Sequence, residues 1–341
     1  MVAIYGMIHL LVDFACAYLM FAGIYGTREW YLCILLYNFC AFALQMPMGA
    51  AADGWNKNAR LSAAGCILIA AAYLVCGASG VICAVMAGLG NGLFHVGGGL
   101  DVLNVSKDSA GFLGVFVAPG SIGLFLGTAL GKGAGILKDW PALLLLGGAA
   151  AMICAAKRKE LWEESRNVSV SYDGMQAGGA LAAAVCLGLV VVFRSYLGMI
   201  QTFDWKDSLG AGAFIACATG MGKMAGGLLA DVIGMRKTAF WSVILAGILY
   251  LFSEYPVAGI LAVFFWNMTM PLTLWMSAKI LPGAKGFVFG LMTFCLFLGF
   301  CPVYLDMRPL TEMFPFSGMG LAFLCGISLL LLLRGIKVVR E

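Results

Sequence analysis

The chain has 341 residues, of which 62% are hydrophobic and only 11% charged, with a formal net charge of +4. A soluble domain carries roughly 25% charged residues. This composition, with a mean hydropathy of +0.96, excludes a water-covered globule and leaves room for about a dozen membrane spans of roughly 20 residues each.

The twelve cysteines stand singly in apolar segments, with no CxxC pair. They read as small packing residues, not as a disulfide framework or a metal cluster. No metal site and no cofactor are expected.

Apolar runs between charge and turn clusters predict twelve helices, near 4–25, 30–53, 60–77, 79–103, 109–131, 141–157, 177–203, 208–231, 238–253, 255–280, 285–306 and 316–335. The first run has no A-x-A-like cleavage site and leads straight into further apolar segments, so it reads as a span and not a signal peptide. It carries Asp13 near its middle and His9 one turn earlier, an i, i+4 pair on one helix face. The second span ends in MGAAADGWNKNAR at 48–60, with Asp53 and Arg60. Spans three and four are divided only at Gly77-Ala78-Ser79-Gly80, and the fourth carries Asn91, His95 and, at its end, Asp101. The fifth is glycine-rich, with Gly120, Gly123 and Gly127.

A polar segment, 157–176, separates residues 1–156 from 177–341, and each side is expected to form a six-helix bundle. Span seven holds Arg194. Span eight holds Lys223 and ends in GGLLADVIGMRK at 226–237, with Asp231 and Arg236. Span ten holds Asn267. Asp306 and Arg308 close span eleven as solvated interface charge, and Tyr5, Trp266 and Trp275 read as belt or packing aromatics.

Loop charge sets the orientation. One side of the membrane holds fourteen Lys and Arg residues, among them Lys57, Lys157, Arg158, Lys159 and Lys285, against five on the other. By the positive-inside rule both termini face the cytoplasm. This bias explains the net charge, and no nucleic acid partner is expected.

The two halves repeat. Asp53 and Asp231 lie 178 residues apart in similar settings. GLGNGLFH at 88–95 aligns with FFWNMTMP at 264–271, pairing Asn91 with Asn267. AGFLGVFVAPGSIGLFLG at 110–127 aligns with KGFVFGLMTFCLFLGF at 285–300. An all-α integral membrane protein of two pseudo-symmetric six-helix bundles follows from that duplication.

These residues resemble the major facilitator superfamily, whose loop signature is roughly G-x-x-x-D-x-x-G-[RK]-[RK]. Gly227, Asp231, Gly234, Arg236 and Lys237 match it well. The first copy keeps Gly49, Asp53 and Arg60, but Gly54 is displaced and Asn56 and Asn58 depart from the pattern. Within the superfamily, HLLVDF at 9–14, NGLFH at 91–95, the glycines of helix five and FRSYLGMIQTF at 193–203 are similar to the fosmidomycin-resistance efflux proteins. The resemblance implies a central cavity lined by helices one, four, seven and ten, on which Asp13, His95, Arg194 and Asn267 would converge. It also implies that Asp53, Arg60 and Asp101 form a charge cluster latching the outward-facing state, with Asp231 and Arg236 as the second copy.

A titratable side chain at bilayer depth costs on the order of 3 kcal/mol, so each marks a functional site by default. Asp13, assisted by His9, is the expected proton-coupling site. Arg194, His95, Asn91, Asn267 and Lys223 are the expected substrate ligands. The alternatives are a hydrogen-bonded interfacial His9, a structural Asp13–Arg194 ion pair, and a Lys223 that snorkels to the interface.

A secondary transporter of a small organic solute, anionic or polar, fits these features, and the resemblance implies proton-coupled efflux across the cytoplasmic membrane. Uptake of an organic anion is the alternative. A monomer whose partners are substrate, protons and lipid is expected. An intramembrane enzyme fits poorly: HExxH is absent and only two histidines occur. A receptor would leave the duplicated motif and midplane charges without purpose, and the lack of a Walker A sequence argues against a primary pump.

Overall fold

The computed structural model describes residues 1–156, 166–176, 178–201, 203–206, 208–305, 307 and 318–340. Lys157, Arg158 and Lys159, and the Asp306 and Arg308 charges, lie outside the described residues. Twelve α-helical segments appear among the described residues, close to the expected runs. They are α1 (Val2–Gly23), α2 (Trp30–Trp55), α3 (Asn58–Val75), α4 (Gly80–Val105), α5 (Gly111–Gly133), α6 (Trp140–Ala156), α7 (Ala180–Ile200), α8 (Leu209–Ile233), α9 (Met235–Tyr250), α10 (Pro256–Ile280), α11 (Lys285–Tyr304) and α12 (Gly318–Arg340). Ten are long and apolar enough to cross a membrane, while α6 and α9 are shorter.

Local chemistry sets the breaks. Ser79 and Ser208 cap α4 and α8 by accepting the amides of Ile82 and Ala211 at 3.3 and 3.1 Å, the usual use of serine at a helix start. Asn56, with φ 47°, turns the chain from α2 into α3, since asparagine tolerates the left-handed region. Inside α2, Phe39–Ala43 forms a π-helical turn. Pro47 explains it: proline lacks an N–H and crowds the carbonyl four residues earlier, here Ala43. Helix α10 is interrupted at Met268, where Pro271 stands in the same relation to Asn267.

The contacts group into two compact units. Unit 1 comprises Met1–Lys107, Pro119–Val170 and Ala284–Phe294; unit 2 comprises Asp108–Ala118, Ser171–Gly283 and Cys295–Glu341. The units therefore do not coincide with the sequence halves. The first turns of α5 pack in unit 2, and those of α11 pack in unit 1.

In unit 1, α3 and α4 touch backbone to backbone. A Cβ on Gly65 would lie 2.6 Å from Phe94 N, and one on Gly90 would lie 2.7 Å from Gly65 O. Small residues allow such approach in lipid, where packing replaces the hydrophobic drive. Gly123 and Gly127 likewise seat α5 on the carbonyls of Leu10 and Phe14 in α1. In unit 2, Gly222 and Gly226 seat α8 on the Phe264 and Met268 carbonyls of α10. Exposed Leu74, Leu143, Phe214 and Leu330 face outward, as lipid-facing positions should.

Candidate coupling and binding sites

Helices α1 and α4 run antiparallel, and three polar contacts set their register. Tyr5 meets Asp101, His9 meets His95, and Asp13 meets Asn91. The spacing of four along α1 puts Tyr5, His9 and Asp13 on one stripe. Residues expected separately to couple protons and to bind substrate thus form one cluster.

At its centre His9 Nε2 lies 2.9 Å from His95 Nε2 and 3.1 Å from Asp13 Oδ2. Asp13 Oδ1 is 3.8 Å from His95 Nε2 and accepts a hydrogen bond from Asn91 Nδ2 at 3.2 Å. The rings of His9 and His95 meet edge-on, at 88°. His95 Nδ1 lies 2.9 Å from Asn91 O. A carbonyl only accepts, so Nδ1 carries the hydrogen and Nε2 of a neutral His95 presents a lone pair. His9 then supplies the hydrogen of the Nε2–Nε2 contact.

His9 is buried, whereas the side chains of His95 and Asp13 are 14% and 20% exposed, so one edge of the cluster is open. Gly120 of α5 closes another edge. A Cβ there would lie 2.6 Å from Asp13 Oδ2 and nearer still to His9 Nε2. Packing explains the other glycines of α5; this one makes room for the acid and the imidazole.

A second cluster surrounds Asp101, which is 2% exposed. Tyr5 donates to Oδ2 at 2.5 Å and Asn58 to Oδ1 at 2.8 Å. Asn58 also donates to Asn167 Oδ1 at 2.9 Å, as does Asn104, while Asn167 Nδ2 donates to Ala52 O at 2.9 Å. Sequence reading took Tyr5 for a packing aromatic and gave Asn167 no role. Asn58, a departure from the family loop, serves here as a bridge.

Asp53 accepts the backbone amides of Gly286 and Phe287 at 2.7 and 2.9 Å, at the start of α11. Gly49 lies against the Gly286 carbonyl, where a Cβ would collide. In unit 2, Asp231 accepts Ala110 N at 2.7 Å, Gly111 N at 3.0 Å and Ser109 Oγ at 2.6 Å, at the start of α5. Each carboxylate satisfies orphan amides and sits at the positive end of a helix dipole.

The expected charge cluster is thereby revised. Asp53 is bound by amides and Asp101 by Tyr5 and Asn58. Arg60 and Arg236 are exposed and form no ion pair among the described residues. Backbone donors inside the protein outcompete a solvated arginine. An unforeseen ion pair in unit 2, Lys279 with Asp108 at 3.1 Å, is exposed and stabilises little.

In unit 2, Arg194 of α7 is 8% exposed. Its Nη1 donates to Thr273 Oγ1 of α10 at 3.2 Å, and among the described residues no carboxylate pairs with it. A guanidinium has five donor hydrogens, so capacity is left over. Thr273 escaped sequence reading because a lone threonine in an apolar run carries no signal. Asn267 donates to Val263 O at 2.8 Å within its own helix, so its amide is partly used. Lys223 is half-buried on α8.

No family model and no curated protein sequence matches the chain. Solved structures do. The human organic anion transporter MFSD10 (TETRAN) superposes with a TM-score of 0.68 at 15% identity, covering 98% of each chain. FucP, a major facilitator superfamily transporter in the outward conformation, gives 0.67 at 13% identity, covering 96% of this chain and 97% of its own. A point variant of the E. coli fucose:proton symporter FucP gives 0.65 at 13% identity, with 97% of each chain covered. The fold is that of the major facilitator transporters. With ten long apolar helices among its described residues, this chain is a multi-pass membrane protein of that architecture.

Proposed function

We propose that the chain is a secondary active transporter that moves a small organic anion by alternating access, coupled to protons. The observation that carries the reading is Arg194, a buried guanidinium bonded to Thr273 with no carboxylate beside it among the described residues. An uncompensated buried charge is costly, and a carboxylate or phosphonate substrate would compensate it through a bidentate pair. The printed description of MFSD10 as an organic anion transporter supports this class.

Proton coupling is assigned to Asp13, His9 and His95. A proton arriving on His95 Nε2 would set N–H against N–H at the 2.9 Å contact. The clash is relieved when the His95 ring turns to Asp13 Oδ1, 3.8 Å away, or when His9 gives up its Nε2 hydrogen, and either response changes how α1 and α4 meet. A fucose:proton symporter with the same fold supports proton use. Asn91 orients Asp13, and Lys223 and Asn267 flank the anion. Export across the cytoplasmic membrane by a monomer with both termini inside is our reading of direction and placement. It rests on the loop charge and on the segments similar to fosmidomycin-resistance exporters.

Reconstitution into liposomes with an imposed pH gradient, against a panel of organic anions and neutral sugars, tests the reading. Gradient-driven movement of an anion, lost in Arg194→Ala, is expected. Transport of neutral solutes alone, or transport indifferent to the pH gradient, overturns it.

A further inference from the structure

The polar centre of unit 1 has the donor set of a metal site. His9 Nε2, His95 Nε2 and the Asp13 carboxylate all lie within 4.8 Å of one another. Around zinc, bond lengths of about 2.0–2.2 Å place tetrahedral ligands roughly 3.3 Å apart. The separations here are 2.9 Å between the two imidazole nitrogens, 3.1 Å from His9 to Asp13 Oδ2 and 3.8 Å from His95 to Asp13 Oδ1. The imidazole pair and the His9–Asp13 pair lie within about half an ångström of that ideal, and a turn of the carboxylate and the His95 ring would bring a single oxygen near both nitrogens.

The surroundings prepare the donors. The His95 Nδ1 contact to Asn91 O at 2.9 Å places the ring hydrogen on Nδ1 and leaves Nε2 as an acceptor, as in metal sites where a carbonyl fixes the tautomer of a ligating histidine. Asn91 Nδ2, 3.2 Å from Asp13 Oδ1, holds the carboxylate in turn. With its hydrogen on Nδ1, His9 would present Nε2 as a second nitrogen donor. With both imidazoles neutral the cluster carries one negative charge, which favours a cation at this depth.

We propose that His9, Asp13 and His95 bind one divalent transition-metal cation of the zinc class, in competition with the proton assigned to the same cluster. Two imidazoles and one carboxylate suit Zn²⁺, Co²⁺, Ni²⁺ or Cu²⁺ and not the all-oxygen preferences of Mg²⁺ and Ca²⁺. The occupied cluster pins α1 to α4 and excludes the proton, so the metal arrests coupling. Sequence spacing could not show this, because the two histidines lie on different helices and meet only through the antiparallel register.

The chain has two histidines and both are here, so a histidine-specific reagent reads this site alone. The full-length protein, purified in detergent without a polyhistidine tag, is treated with diethylpyrocarbonate with and without Zn²⁺. Zn²⁺ is expected to slow carbethoxylation at least about tenfold and Mg²⁺ not at all. Titration with Co²⁺ alone should give visible d–d bands at one equivalent without the near-ultraviolet thiolate band that Cys154 or Cys217, both exposed, would produce. Binding should weaken as pH falls, because protons compete for the ligands. Loss of a ligand in His9→Gln or His95→Gln should weaken binding about 100-fold or more, beyond the 10- to 100-fold typical of outer-shell changes. Equal carbethoxylation rates with and without Zn²⁺, a thiolate spectrum, or unchanged affinity in both variants would overturn the proposal. No substrate or gradient enters these measurements, so their failure leaves the transport reading standing.

Discussion

Asp53 and Gly286 are joined by a 2.7 Å hydrogen bond from backbone amide to carboxylate, across most of the length of the sequence. The acid ends one helix and caps the first turn of another. Asp231 does the same for Ala110 at 2.7 Å. The duplicated loop motif is therefore a duplicated cap: α2 holds the start of α11, and α8 holds the start of α5. Each captured helix begins in one unit and continues in the other. Each cap lies within a single unit: Asp53 and Gly286 in unit 1, Asp231 and Ala110 in unit 2.

Asp53→Asn should weaken the first cap. The amide keeps one acceptor but turns an N–H toward an N–H of α11 and removes the charge facing the helix dipole. We expect a shift toward the inward-open state of 5- to 150-fold, the range for couplings of about 1–3 kcal/mol. Turnover should fall with little change in intrinsic substrate affinity. Cysteine accessibility from both sides of the membrane, on a cysteine-free background, reads the shift directly. Unchanged accessibility and turnover would reduce Asp53 to a structural cap.

Arg194→Ala should abolish substrate binding, and Arg194→Lys should retain part of it. A lysine restores the charge but not the planar fork that grips a carboxylate with two parallel bonds. Direct binding in detergent separates the two variants. Equal affinity of the Ala variant and the wild type would mean that Arg194 serves only its bond to Thr273.

Asp13→Asn should abolish gradient-driven transport while leaving substrate exchange in place. The variant removes the only carboxylate the two histidines share among the described residues, so the site cannot hold both the arriving proton and a neutralising charge. Counterflow with and without a pH gradient makes the comparison. Full uphill transport by the variant would remove Asp13 from coupling.

The membrane architecture was legible in the sequence because twelve apolar runs and a repeated aspartate motif depend on composition and order. The Asp13–His9 pair was legible because i, i+4 spacing defines a helix face. Its union with His95 was not, because periodicity says which face a residue occupies and not which helix lies opposite. The capping roles of Asp53 and Asp231 were misread as ionic for a related reason: their partners are backbone amides, which leave no mark in a sequence. Asn167 was passed over because a polar linker looks alike whether it floats or docks. The breaks at Pro47 and Pro271 follow from proline chemistry alone, but which helical turn absorbs the strain depends on packing.

Gly120 offers the sharpest separation of packing from chemistry. A Cβ there would lie 2.6 Å from Asp13 Oδ2, and on Gly123 it would press the Leu10 carbonyl. Overpacking of this kind costs about 1–3 kcal/mol, so both Gly120→Ala and Gly123→Ala should unfold at lower temperature. Gly133→Ala, with nothing within 4 Å, should be neutral or stabilising by up to about 1 kcal/mol through a less flexible unfolded chain. Only Gly120→Ala should also uncouple transport from the pH gradient, because only its methyl displaces the acid or the imidazole. Thermal unfolding in detergent measures the first effect and gradient-driven flux per folded molecule the second. If Gly120→Ala and Gly123→Ala lose coupling equally, the loss comes from spreading α5 off α1, and the proton site does not depend on the space that Gly120 leaves.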